Sequence, residues 1–441
     1  MLQTMGGNPK DFKKLDLKRL PSPCFVIDKI ALQSNLEILY ELKKETNVKI
    51  LIALKAFSTF SLADLISKYL DGSCCSGLYE AKLAKKYFKG EISTYSPAFK
   101  KDEFDEISKI SDHIIFNSFN QINTFYDISK NFNNEVGIRI NPLYSEVKNN
   151  KYNSAGISSR LGIHLKDLKD YDIDKIDGIH FHTLCEQNFK PLENTWNEVR
   201  NTLLPLINNI KWLNLGGGHH ITRKDYQLNE LKYFLKKVSN ETNCQIYIEP
   251  GEAVVLDSGI LVGEIIDFFK PSNELSPNIA VTDISATSHI PDVIEAPYRP
   301  ALLNEPDKGY KVTLGGPSCL AGDVIGEYNF RDIPKNTPVD LSKFTMPILY
   351  IHGEHDPRQP LEYCEGMEKH LPGLQAILVL DAGHFITRER PVETTNAMMW
   401  FFNSMLGSGL KLFDRSKELG LPTRPIQESK NKFGVNSIKF D

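Results

Sequence analysis

The sequence predicts an α/β protein built on a parallel (β/α)8 barrel of the TIM type. A β-rich domain follows the barrel, and a C-terminal part of different character follows that. Three observations predict it. Eight short apolar, β-branched runs recur between residues 49 and 251. Stretches of helical period separate most of them. Polar residues gather at the C-terminal ends of the runs, the end at which such barrels carry their chemistry.

In order, the runs are "KILIALKA" (49–56), "GSCCSG" (72–77), "ISTYSP" (92–97), "HIIFNS" (113–118), "EVGIRIN" (135–141), "GIHFHT" (178–183), "WLNLGGG" (212–218) and "QIYIEPG" (245–251). Amphipathic stretches such as "SLADLISKYL", "LYEAKLAKKYF" and "LNELKYFLKKVS" lie between them. The second and third runs are weak strands by composition, and their regular spacing makes them part of the series. The run ends carry Lys55, Ser96, Asn117, Arg139, His182, Gly216–Gly218 and Glu249. Beyond residue 251 the pattern changes to β-rich runs, "GILVGEIIDFF", "NIAVTDISA" and "GYKVTLGGPSC", which suggest a second, β-type domain.

This divides the chain into an N-terminal segment (1–22), the barrel (23–251), an incomplete β-rich domain (252–330), a further fragment (331–410) and a loosely ordered tail (411–441). Composition changes at the third boundary. Lysine falls from 32 before residue 331 to 8 after it, and asparagine from 27 to 5, so the two parts need not share a history. The tail is polar and aperiodic.

A formal net charge of −4 argues against nucleic acid or an anionic membrane as partner. The N-terminal "MLQTMGGNPKDFKKLDLKR" has no apolar core of the signal-peptide kind, and no run reaches the ~18 apolar residues of a membrane span. Seven sparse cysteines, with no C-x-x-C pair and no metal-like Cys/His spacing, read as reduced thiols of a cytoplasmic protein that holds no metal.

Lys55 poses the chemical question. An ammonium at the end of a buried strand is costly unless it is paired, neutral or covalently used. A lysine shielded from water there can attack a carbonyl and form a Schiff base, the linkage by which pyridoxal phosphate is held. That cofactor needs backbone N–H groups for its phosphate, which Gly216, Gly217 and Gly218 offer. It also needs a carboxylate for its pyridine nitrogen, which Glu249 offers, and a flat face for its ring, which His182 offers. Singly, each has an ordinary structural explanation: a snorkelling lysine, a glycine turn, a hydrogen-bonded histidine or glutamate. Together, on strand ends in workable order, they favour the cofactor.

Residues 10–330 resemble the alanine-racemase-like, fold-type III decarboxylases, and among them the carboxynorspermidine/carboxyspermidine decarboxylases. The matching segments are "PSPCFVID", "ALKAF", "TYSPAF", "GIRINP", "GIHFHTLCEQ", "LNLGGGHH", "EPGEA", "HIPDVIEAPYRP" and "GGPSCLAGDVIGEY". The resemblance implies a homodimer that decarboxylates a carboxylated polyamine with pyridoxal 5'-phosphate. Lys55 would carry the cofactor, with Glu249, His182, Arg139 and the glycine run around it. Cys319 of the second subunit would return a proton after CO2 leaves, with Asp323 near it. Glu252 stands where the ornithine and diaminopimelate decarboxylases carry Arg, so the pocket gains negative charge suited to ammonium groups. Asp292 and Asp283 are further substrate-binding candidates.

Residues 344–405, "MPILYIHGEHDPRQP" through "AILVLDAGHFITRERPVETTNAMMWFF", resemble the C-terminal end of an α/β-hydrolase, with Asp356 and His384 in the places of its acid and histidine. No G-x-S-x-G nucleophile motif occurs. The closing strands expected of the decarboxylases, with a tyrosine that reaches the phosphate, are absent after Tyr328. The chain therefore reads as a fusion. The alternatives to decarboxylation are a cofactor-binding protein with impaired catalysis and, last, an esterase or epoxide hydrolase.

Overall fold

The structure, a computed structural model, describes residues 9–207, 210–272, 276–295, 297–332, 348–357, 374–405, 427–430 and 436–439. Two compact units divide the chain, Met1–Asn336 and Thr337–Asp441.

In the first unit two 3-10 turns, Pro9–Lys14 and Leu17–Arg19, lead into strand β1 (Cys24–Ile27) and a helix, Lys29–Thr46. Asp28 caps that helix by accepting from the Ile30 and Ala31 N–H groups at 2.8 and 3.1 Å. Leu32, Leu36, Leu39 and Leu42 recur at helical spacing and are fully buried. Asn47 ends it in the left-handed region, at φ 57°.

The barrel strands are β2 (Lys49–Ala53), β3 (Gly72–Cys75), β4 (Glu91–Tyr95), β5 (His113–Phe116) and β6 (Glu135–Asn141), with a short β7 (Ile163–His164) beside β6. They continue with β8 (Gly178–His180), β9 (Trp212–Asn214) and β10 (Gln245–Ile248). The order β5-β4-β3-β2-β10-β9-β8-β6 closes through a β5–β6 pairing, and every one of these pairs is parallel. All eight expected runs are strands of this ring, the two weak ones included.

Side chains alternate across each strand. Ile50, Ile52, Ile114, Phe116, Val136, Ile138, Ile179, Leu213, Ile246 and Ile248 face outward and share one buried cluster with the helices. The opposite parity faces inward. Near the strand N-termini, Leu51, Ile115, Trp212 and Tyr247 fill the ring. The Trp212 indole fits because Gly137 and Gly178 leave it space: a Cβ on Gly178 would lie 2.0 Å from it. His113 stacks on the indole at 5.0 Å and 7°. This plug closes one end of the barrel, so inward residues further along each strand open only onto the other.

β1 lies outside the ring. It pairs antiparallel with β11 (Gly259–Val262). β12 (Ile265–Phe269), β13 (Asn278–Thr282), β14 (Tyr310–Gly315) and β15 (Val324–Phe330) form a mixed sheet in that order. Ala280, Val312, Leu314, Ile325 and Tyr328 are its core.

In the second unit, β16 (Ile348–Gly353) and β17 (Leu374–Leu380) pair in parallel, and helices Ile386–Glu389 and Pro391–Met405 follow. Leu380, Ala382 and Ala397 are buried together with Leu349, Ile351 and Ile386 beside them. Asp356 and His384 meet there, Oδ2 to Nδ1 at 2.9 Å. The tail expected to be loosely ordered contributes two strands, β18 (Gln427–Lys430) and β19 (Asn436–Lys439), β19 pairing with β17. Backbone ladders need no apolar side chains, so hydrophobic period misses such strands. The rest of 411–441 lies outside the described residues. Among the described residues no helix is long and apolar enough to cross a membrane.

Candidate active site

Inward parity beyond the plug brings Tyr95, Arg139, His180, Asn214 and Glu249 together at the open end of the barrel. A cavity of about 900 Å³ opens there, lined by Lys55, Arg139, His182, Gly218, Glu249 and Glu252 among others.

Glu249 is 6% exposed. Its Oε1 accepts from the Asn214 amide at 2.7 Å, and its Oε2 lies 3.4 Å from His180 Nε2. Burial pushes the carboxyl upward, but His180, His182 and Asn214 outweigh it and hold the group below the ordinary carboxylate range. Glu249 is therefore an anion. His180 is buried and neutral, its pKa lowered chiefly by desolvation. Its Nε2 faces the Glu249 carboxylate.

His182 Nδ1 accepts from the Gly217 N–H at 3.1 Å. Burial depresses its pKa well below the usual value, with the charges of Lys55 and Arg139 adding to the effect. The ring is neutral, and its single proton sits on Nε2. Arg139 is buried, lies 4.7 Å over the Tyr95 ring and approaches the His182 carbonyl at 3.5 Å. The Tyr95 hydroxyl donates to Asn117 Oδ1 at 2.7 Å, and Asn117 also accepts from the Gly162 N–H at 2.6 Å, tying the loop after β6 to the rim.

Lys55 is exposed rather than shielded, which corrects the sequence reading. β2 ends at Ala53, and the Ala56 and Phe57 N–H groups turn back onto the Ala53 carbonyl, so the lysine stands in the turn at the cavity mouth. Its charge still acts on His182, His180 and Cys74.

Gly216 and Gly218 adopt left-handed backbone, φ 70° and 87°. A Cβ on Gly217 would lie 2.0 Å from the Glu249 carbonyl, and one on Gly218 2.0 Å from the Leu184 carbonyl. The run packs β9 tightly against its neighbours. The Gly216 N–H goes to Asn214 Oδ1 and the Gly217 N–H to His182, and of the three glycines Gly218 lines the cavity.

A second cavity of about 700 Å³ adjoins the first and shares Tyr152, Cys185, Glu186 and Glu252 with it. Glu146, Glu186, Glu252 and Asp292 outnumber Lys148 on its walls and make it acidic. Asp292 accepts from the Tyr152 hydroxyl at 3.1 Å. Burial, then Glu252, push the Glu186 carboxyl up.

Three candidates lie apart from both cavities. Asp283 accepts the Glu264 N–H at 2.8 Å. Asp323 is 4% exposed and ties its loop to the segment after β13, accepting from Ser285 Oγ and the Ala286 N–H as well as from both Ser318 donors. Cys319 is exposed on that same loop. Conversely, the sequence reading passed over His180, Asn214, Tyr95 and Glu186. Strand parity gave a signal for the first three, each two residues from an inward neighbour.

The donor set suits pyridoxal phosphate: one primary amine, one buried anion, one neutral imidazole and a glycine that admits no Cβ, all around a single cavity. Barrel and site together fit the fold-type III class of pyridoxal-phosphate-dependent decarboxylases, the class in which the chain's homologues stand. A curated carboxynorspermidine/carboxyspermidine decarboxylase of Campylobacter jejuni is 38% identical over 327 residues, covering 71% of this chain and 84% of its own. The carboxyaminopropylagmatine decarboxylase of Synechocystis is 35% identical over 318 residues, covering 71% and 81%. A solved carboxynorspermidine decarboxylase of C. jejuni, in complex with norspermidine, matches with a TM-score of 0.63 and 36% identity over 72% of this chain and 86% of that one. No protein-family model matches the chain. The chain belongs to the carboxynorspermidine/carboxyspermidine decarboxylase family.

Proposed function

We propose that the chain releases CO2 from carboxynorspermidine or carboxyspermidine, leaving the polyamine. The acidic cavity joined to the lysine-bearing one carries this reading. A substrate with several ammonium groups and one carboxylate fits a site that is cationic at Lys55 and Arg139 and anionic beyond them. The C. jejuni relative's name and its partner norspermidine support it.

Bound in the first cavity, pyridoxal phosphate supplies an electron sink for the pair left by the departing carboxylate. Lys55 Nζ would hold it covalently and Gly218 would receive its phosphate. His182, kept neutral by burial and held in place by the Gly217 N–H, would lie against its ring. Glu249 would keep a proton on the pyridine nitrogen, a task that needs the ionised carboxylate Asn214 and its neighbours maintain. Glu252 and Asp292 would bind ammonium groups, whereas Asp283 would act at most through its loop.

Borohydride reduction of the cofactor-loaded chain, then peptide mass spectrometry, tests the lysine. The label is expected on Lys55, and a label elsewhere or none overturns the assignment.

We further propose a cytoplasmic homodimer in which Cys319 returns a proton in its partner's site, with Asp323 fixing the Cys319 loop. Exposure of Cys319 outside both of the cavities described supports this. Mixing inactive Lys55→Ala and Cys319→Ala chains should regenerate activity, and a mixture as inactive as its parts contradicts the shared site. The Asp356–His384 contact supports reading 344–405 as derived from an α/β-hydrolase end. Ester turnover that disappears in His384→Ala would show that this part is active.

A further inference from the structure

His220 follows the glycine run and is 5% exposed. Its backbone is fixed on both sides: its N–H donates to the Gln187 carbonyl and its carbonyl accepts from the Arg223 N–H, both at 3.0 Å. The imidazole is therefore carried on a rigid support. Its Nε2 lies 2.9 Å from Glu252 Oε2, while Nδ1 is buried with no partner. The imidazole directs its one side-chain hydrogen bond at a carboxylate.

Glu252 is the opposite kind of residue. Its side chain is 51% exposed and begins a four-residue helix. Gly251, where a Cβ would come 2.5 Å from that of Ala56, sets the Glu252 backbone beside the Lys55 turn. Glu252 lines both cavities and faces Glu186 and Asp292 across the second. Repulsion from those carboxylates and rotamer freedom would both draw an untethered glutamate off the shared edge.

We propose that His220 is a positioning residue for substrate. Its imidazole holds the Glu252 carboxylate at the edge common to the two cavities, where that carboxylate takes one ammonium group of the polyamine and so fixes the distance from that nitrogen to the reacting carbon. The inference rests on the reading of Glu252 as a substrate residue.

Titration calorimetry with norspermidine and spermidine on the cofactor-loaded chain tests it, alongside kcat and KM. Glu252→Gln is expected to weaken polyamine binding about tenfold. His220→Asn, whose amide is too short to reach Glu252, should raise Kd and KM several-fold with kcat within about twofold. His220→Gln, whose amide nitrogen replaces Nε2, should restore most of both. Combining His220→Asn with Glu252→Gln should add nothing to Glu252→Gln alone. Parent-like affinity in His220→Asn beside a weakened Glu252→Gln overturns the role of His220 and leaves the substrate reading intact. Equal losses in His220→Asn and His220→Gln overturn it too, as a packing role would produce them. Unchanged affinity in Glu252→Gln removes the substrate assignment and the inference with it.

Discussion

Burial raises the pKa of a carboxyl group, yet Glu249 is held low, because its surroundings supply what water would have supplied. Asn214 donates to one oxygen and His180 flanks the other. Replacing the carboxylate by an amide keeps the shape and removes the charge. Glu249→Gln is expected to lower kcat about 100-fold, the scale of losing one preorganised electrostatic contact, while the chain still retains cofactor. Stopped-flow turnover and the visible spectrum of the bound cofactor check both halves, and a kcat within threefold of the parent contradicts the role. His182 belongs to the same scale: with its pKa pushed down, it stays neutral through the weakly acid range, so its protonation should leave no inflection in kcat near pH 6.5.

At the scale of elements, the packing of β9 against β6 and β8 decides where the site can form. Trp212 occupies the ring because Gly137 and Gly178 have no side chain, and it blocks one end of the barrel. Gly178→Ala would place a methyl 2.0 Å from the indole, and overpacking of this kind costs about 1–3 kcal/mol. Urea unfolding should show that loss, and Gly178→Ala combined with Trp212→Phe should recover part of it. No loss in the single variant would mean the indole can move aside. Parity explains why this layer and the polar layer above it were readable in outline: residues 212 and 214, or 247 and 249, differ by one strand period.

For the whole molecule, the buried histidines set the response to acid. His219 accepts or donates at 2.6 Å with the Tyr226 hydroxyl, and burial, then His220, drive its pKa from 6.5 to about 3. Above pH 6.5 neither the folded nor the unfolded chain protonates it. Between 6.5 and about 3 the unfolded chain binds the proton and the folded one does not, so stability falls as pH falls. Denaturant midpoints should decline steadily below pH 6.5, and His219→Gln should flatten that decline. An unchanged slope in the variant would exclude His219 as a source.

The alternation of strand and helix, the parity that points Arg139 and Glu249 inward, and the place of Lys55 just past β2 are properties of windows a few residues long. The sequence by itself determined them, because hydrophobic period and glycine placement act locally. What only the tertiary structure decided depends on closure of the ring and on the domain beside it. Asn214 meets Glu249 across 35 residues, His220 meets Glu252 across 32, and Tyr152 meets Asp292 across 140. The same folding commits Asp323 to Ser285, Ala286 and Ser318 rather than to either cavity, and leaves Lys55 at an open mouth. Hydrogen-bond partners are chosen by distance in space, and no local pattern records that distance before the strands have met.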